Sequence, residues 1–291
     1  MPDPRQTDGA AWSAREGTQT RGPCATSAGV SLHVLAFDTA TAHCGAALLC
    51  ADGRHSVQRQ RVTTHSESLL LLVQACLDAC GLTLRELGGI ACSAGPGSFT
   101  GLRIGMATAK GLCFALGLPL CTVSSLEALG QAGAEARSAL PTLALLDAFR
   151  GQLFARLLPP AEDSPLAPVV RQVLTAQPQL ASDLMWQPEA LTQALQPLAG
   201  SLHVCAVDPI PMQAQALCQL AQRVSLDRGQ ADADGVADGL LHSPTLALAT
   251  LARERLLGGQ RADLFAAAPN YLCGSAPEEA ERQRLLSSPT P

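Results

Sequence analysis

The sequence predicts an α/β protein in which two mixed sheets are flanked by helices. Three observations carry this. Short apolar runs bounded by Gly, Asp and Pro recur from His33 onward, segments of helical periodicity alternate with them, and a hairpin pattern near the start begins again after Leu143.

His33 to Asp38 reads as an apolar strand that stops at Asp38-Thr39-Ala40-Thr41. Cys44 to Cys50 is a second strand, and Asp52-Gly53 is a strong hairpin signal. Ser56 to Val62 alternates polar and apolar residues, as an outer strand does. A helix begins near Ser66, followed by a strand at 89–93, a helix from about 100, a strand at Leu120 to Val123 and a helix from Ser125. The order β-β-β-α-β-α-β-α is that of the actin-like (ASKHA, ribonuclease-H-like) topology, antiparallel at its start and parallel afterwards.

Leu143 to Asp147 and Leu153 to Leu158 form a second hairpin around Arg150-Gly151, which suggests a related second half. Pro159 to Pro168 is a connection, Gln187 to Leu198 a helix, His203 to Val207 a buried strand and Met212 to Val224 a helix. Gly229 to Gly239 reads as a solvated loop. Ser243 to Leu257 is a helix with Ser243 as its cap and Pro244 at its first position. The expected division is a disordered extension over 1–31, an N-terminal actin-like domain over 32–124, a C-terminal one over 125–273 and a loose tail over 274–291.

The 291 residues suffice for a large core, and 47% of them are hydrophobic without any run approaching a membrane span. The first thirty residues lack the apolar core of a signal peptide, so a cytoplasmic protein is expected. Net charge is −5 and Lys110 is the sole lysine, which disfavours a chain that grips nucleic acid alone. Eleven cysteines include no Cys-x-x-Cys, and most lie in apolar runs. They read as small buried hydrophobes in a reducing compartment rather than metal ligands or disulfides.

Gly95-Pro96-Gly97-Ser98-Phe99-Thr100-Gly101 lies between a buried strand and a helix start. That is the geometry of a backbone anion cradle, and either a bound nucleotide or tight packing accounts for its glycines. It matches neither a P-loop nor a dinucleotide fingerprint. Candidate nucleotide contacts are Asp38, Thr39, Gly95, Gly97, Ser98 and Asp147; for both aspartates a local turn or cap is the favoured role. His65 reads as a cap or surface residue.

Two helices carry a different signal. In Ser66 to Cys80, Glu67, Gln74 and Asp78 form one narrow polar stripe, and apolar residues cover most of the remaining circumference. Leu69, Leu70, Leu72, Val73, Cys76 and Leu77 are therefore expected at a subunit interface, the competing reading being burial beneath the second domain. Gly101, Gly105 and Ala109 recur every four residues in the next helix, as do Ala107 and Gly111, and read as faces for close helix packing. The two helices would form half of a four-helix bundle.

FDTAT (37–41), HSESLLLLV (65–73), GPGSFTGLRIG (95–105), ATAKGL (107–112), VSSLEAL (123–129) and LLDAFRGQLF (145–154) together resemble the TsaB (YeaZ-type) family. The likeness is dense from about 33 to 158 and returns faintly at Pro269-Asn270-Tyr271-Leu272. Phe149 and Gln152 depart from the family pattern of an Asp-Ala-Arg followed by a glycine, a Glu and an aromatic. The resemblance implies a non-catalytic accessory subunit of the machinery that makes N6-threonylcarbamoyladenosine in tRNA. Its implied partners are a TsaD-type catalytic paralogue, a TsaE-type ATPase and tRNA through the complex, with a homodimer when alone and no membrane. The implied cofactor state is none bound tightly, with ATP or ADP and Mg²⁺ allowed at the partner interface. The TsaD relatives carry a His-x-x-x-His metal pair where this chain has Ser125 and Leu129, and leucine has no donor atom. The rival reading is an actin-like ATPase or sugar-kinase relative using Asp38, Gly97 and Asp147. A peptidase finds no nucleophile context here.

Overall fold

A computed structural model of the chain describes residues 32–134, 139–148, 151–207, 212–227 and 243–272. The expected N-terminal extension, the Gly229 to Gly239 loop and the C-terminal tail lie outside these residues.

The first sheet is built on β1 (Val34–Asp38), whose five residues are all buried. It pairs antiparallel with β2 (His43–Leu49), from Val34 opposite Leu49 to Asp38 opposite Gly45. Beyond β2 lies β3 (His55–Arg61), joined by a tight turn in which Gly53 takes a φ of 86°. On the other side β1 runs parallel to β4 (Gly89–Ser93), which pairs with β5 (Leu120–Val123), so the order is β3-β2-β1-β4-β5. This is the actin-like arrangement the sequence predicts.

The two-residue alternation of β1 sorts its side chains between two cores. Leu35 and Phe37 pack with α1 (His65–Cys80) and α2 (Phe99–Leu116) on one face. Val34 and Ala36 pack on the other with Leu248, Ala249, Ala252 and Leu256 of α7 (Pro244–Leu257). That contact corrects the domain division expected from sequence. The last helix, assigned to the second half, returns to the first sheet, because its apolar residues cover a face that would otherwise be bare.

The second sheet has the order β10-β9-β6-β7-β8. Its centre is the hairpin of β6 (Thr142–Asp147) and β7 (Leu153–Leu158), with β8 (Leu184–Trp186) outside β7. β9 (Leu202–Val207) runs parallel to β6, and β10 (Ala221–Asp227) parallel to β9. Leu143, Leu145, Leu153 and Leu157 face outward against α4 (Ala167–Ala176), α5 (Pro188–Leu195) and α6 (Gln215–Leu220). Ala144, Leu146, Phe154 and Cys205 face inward against Leu126, Leu129 and Ala132 of α3 (Ser125–Ala134). Helices α3 and α7 pack on each other and so form the layer between the sheets.

Segments of the second half differ from expectation, among them the unanticipated β8. The helix read over Met212 to Val224 ends at Leu220, where the chain enters β10, because Val224, Ser225 and Leu226 pair with Val204, Cys205 and Ala206. A sheet ladder outweighs the weak helical preference of that stretch. The structure also adds α4, read partly as connection, in which Val170 and Val173 are buried on one face and Pro168 sits in the first turn.

Candidate functional site

The glycine-rich turn links β4 to α2 and leans on the end of β1. The Ser98 amide donates to the Ala40 carbonyl at 2.6 Å, and the Ser98 hydroxyl caps α2 by accepting from the Gly101 amide at 3.2 Å. A Cβ on Gly97, whose φ is 156°, would collide with that same Ala40 carbonyl. Gly95, with a φ of 102°, faces the Asn270 carbonyl, which a Cβ would approach to 2.9 Å. The Asn270 amide in turn donates to the Ala94 carbonyl, at 2.6 Å. The glycines thus let three stretches of backbone meet.

Those contacts bear on the nucleotide residues expected from sequence. Asp38 is buried and its carboxylate accepts from the Ala40 amide at 3.0 Å, a local turn contact. Thr39 is buried beneath α2, with its hydroxyl unpartnered. Asp147 is exposed at the end of β6, in the second sheet. The Ala40 carbonyl packs directly against the turn at Gly97 and Ser98.

The small residues of α2 have a similar explanation. Gly101, Gly105 and Ala109 are buried, and a Cβ on Gly101 would run into the Thr39 carbonyl and the His65 ring. A Cβ on Gly105 would strike the Thr39 hydroxyl. This stripe seats the helix on its own domain rather than on a partner. Burial lowers the pKa of His65, against the pull of Asp38 and the Thr41 backbone.

For α1 the interface residues expected from sequence divide. Leu69, Leu72, Val73, Cys76 and Leu77 are buried in the core against the first sheet, because Leu35 and Phe37 of β1 and Cys44, Ala46 and Leu48 of β2 offer α1 an apolar floor. Leu70 remains outside, 56% exposed, with Leu71 beside it at 68%. On the adjacent helix Ala107 and Gly111 are exposed, and nothing lies within 4 Å of a Cβ built on Gly111. The outward face of this helix pair is therefore a leucine ridge on α1 beside a smooth strip on α2.

A strap formed by residues 262–271 borders α2 on its other flank. Lys110 Nζ donates to the carbonyls of Phe265 and Ala267 at 2.9 and 3.0 Å. The Arg103 guanidinium lies 3.9 Å over the Phe99 ring and donates to the Tyr271 hydroxyl at 3.1 Å. The sequence hinted at this through Pro269-Asn270-Tyr271-Leu272, but gave no sign that the lone lysine would tether it. Phe114 and Phe265, 72% and 80% exposed, meet edge to face at 6.5 Å and extend the exposed apolar surface.

Ser125 and Leu129 lie on α3, where both side chains are buried and Leu129 packs among Leu126, Ala144 and Phe154. Among the described residues, no three His, Cys, Asp or Glu side chains converge as a metal site would require. None of the described helices is long and apolar enough to cross a membrane.

With this geometry in view, comparisons place the chain among known proteins. A family model described as "TsaD: tRNA N6-adenosine threonylcarbamoyltransferase" matches residues 59–157. The TsaB protein of Haemophilus influenzae, named for tRNA threonylcarbamoyladenosine biosynthesis, is 35% identical over 43% of this chain and 52% of its own length. That of Escherichia coli is 36% identical over 42% of this chain and 53% of its own length. The chain thus spans about half the length of the curated relatives it matches. The crystal structure titled YeaZ from Pseudomonas aeruginosa aligns with a TM-score of 0.59 at 24% identity, covering 83% of this chain and 100% of that one. This likeness is one of fold.

Proposed function

We propose that the chain, which is similar to the TsaB proteins over about half their length, is a non-catalytic subunit of the N6-threonylcarbamoyladenosine machinery. In this reading it docks a TsaD-type catalytic paralogue and supports transfer of threonylcarbamoyl from threonylcarbamoyl-AMP to adenosine-37 of tRNA. A TsaE-type ATPase and the tRNA are reached through the complex. The observation that carries the proposal is the pair Leu70 and Leu71, exposed on α1 beside the side-chain-poor strip of Ala107 and Gly111.

A ridge beside a smooth groove suits the same kind of helix pair on another molecule. Ridges seat in grooves, and a patch that carries both can also pair with its own copy. Burying two leucines contributes on the order of 3–6 kcal/mol before the costs of association. The buried Leu129 supports the non-catalytic part of the reading, since an apolar packing residue stands where the TsaD relatives have a metal ligand.

The test is co-purification of the full chain with a TsaD-type protein, using Leu70→Asp with Leu71→Asp. Two carboxylates on the ridge should abolish the complex and leave the fold intact, because both side chains already face water. Undiminished complex formation would exclude this docking face.

A further inference from the structure

Glu127 of α3 divides its carboxylate between the two halves of the molecule. Oε1 accepts from Arg255 of α7 at 2.5 Å, on the side of the first sheet. Oε2 lies 3.6 Å from Arg156 of β7, in the second sheet, and Arg156 also reaches Asp183 at 3.3 Å. Arg255 is anchored on its own side by a second bond, to the Thr122 carbonyl of β5 at 3.1 Å. The side chains of Arg255, Arg156, Glu127 and Asp183 are only 28%, 27%, 18% and 10% exposed. Partial burial limits screening by water and salt, so such a chain of charges holds geometry better than exposed pairs do.

We propose that Glu127 is a clasp that fixes the angle between the two sheets. The helix carrying it lies between them, packed on α7 and on the second sheet, so any swing of one half against the other must shear α3. Breaking the Arg156 arm frees the second sheet, and breaking the Arg255 arm frees the first. The clasp also reaches the glycine-rich turn, because the Ser125 amide at the start of α3 donates to the Gly95 carbonyl at 2.9 Å. The halves therefore stay at one angle instead of closing and opening over the space between them. This inference is independent of the docking proposal, since none of its residues lies on the outward face of α1 or α2.

Hydrogen exchange read by mass spectrometry on the full chain tests it, comparing the native protein with Glu127→Gln and Arg156→Gln. In Glu127→Gln, amides of both α3 and α7 should exchange about tenfold faster, while α1 and α4 keep native rates. Arg156→Gln removes one arm only and should accelerate α3 but not α7, whose tie to Thr122 and Glu127 survives. Raising salt should accelerate α3 in the native protein and add little in Glu127→Gln. Should Glu127→Gln not fold, Arg156→Gln and the salt series carry the test alone. Unchanged α3 exchange in Arg156→Gln, or an even rise across every element, overturns the proposal.

Discussion

At the residue scale, His203 on β9 ties stability to pH. Its Nε2 lies 2.7 Å from the Ser225 hydroxyl of β10. Burial, with a smaller contribution from the Arg223 charge, pulls its pKa from 6.5 down to about 4. Between those values the unfolded chain binds a proton that the folded one refuses. Stability is therefore full above pH 6.5 and declines as pH falls towards 4. The loss amounts to on the order of 2–3 kcal/mol. Urea midpoints at pH 7.5 and pH 5 should differ more for the native chain than for His203→Gln; equal shifts would refute the assignment. The cysteines offer a second prediction. Eight of the nine within the described residues are buried, and burial pushes the Cys92 thiol up to about 12. These eight should resist Ellman's reagent until the chain is unfolded. Their placement in apolar runs made this legible from sequence.

At the element scale, the glycines of α2 make opposite predictions on opposite faces. Gly101→Ala forces a methyl into the Thr39 carbonyl and the His65 ring, and should destabilise the fold by about 1–3 kcal/mol. Gly111→Ala enters open space and should stabilise the isolated chain by up to about 1 kcal/mol, through helix propensity alone. Thermal melts of the two variants distinguish a helix seated on its own domain from one whose small stripe awaits a partner. Both helices, their limits and their unusual composition were readable, because caps and periodicity are local. Which apolar residues of α1 face the sheet was not. With leucine at four consecutive positions, Leu69 to Leu72, the narrow polar stripe leaves most of the circumference apolar, and the floor made by β1 and β2 decides which leucines are buried. The end of α6 was hidden for a related reason, since β10 forms only where β9 provides a ladder.

At the scale of the whole molecule, the strands of the first sheet followed from the alternation of apolar runs and helices, whereas the outer strands β8 and β10 of the second sheet did not. The return of α7 to the first sheet and the tethering of the strap by Lys110 are long-range contacts without a local signature. The glycine-rich turn shows the same limit. Its composition fits an anion cradle as well as a packing joint, and its contact with the Ala40 carbonyl has no local signature. What the assembled fold presents outward is the ridge of Leu70 and Leu71 beside α2, held on a body whose halves are clasped through Glu127. The central claim is that this face makes the chain a required partner in tRNA modification. Formation of threonylcarbamoyladenosine, reconstituted from a purified TsaD-type protein, its ATPase, threonylcarbamoyl-AMP and tRNA, tests that claim most directly. The native chain should raise the yield at least about tenfold over its omission, with Leu70→Asp/Leu71→Asp no better than omission. Equal yield with and without the chain, or full support from the doubly charged variant, would contradict it.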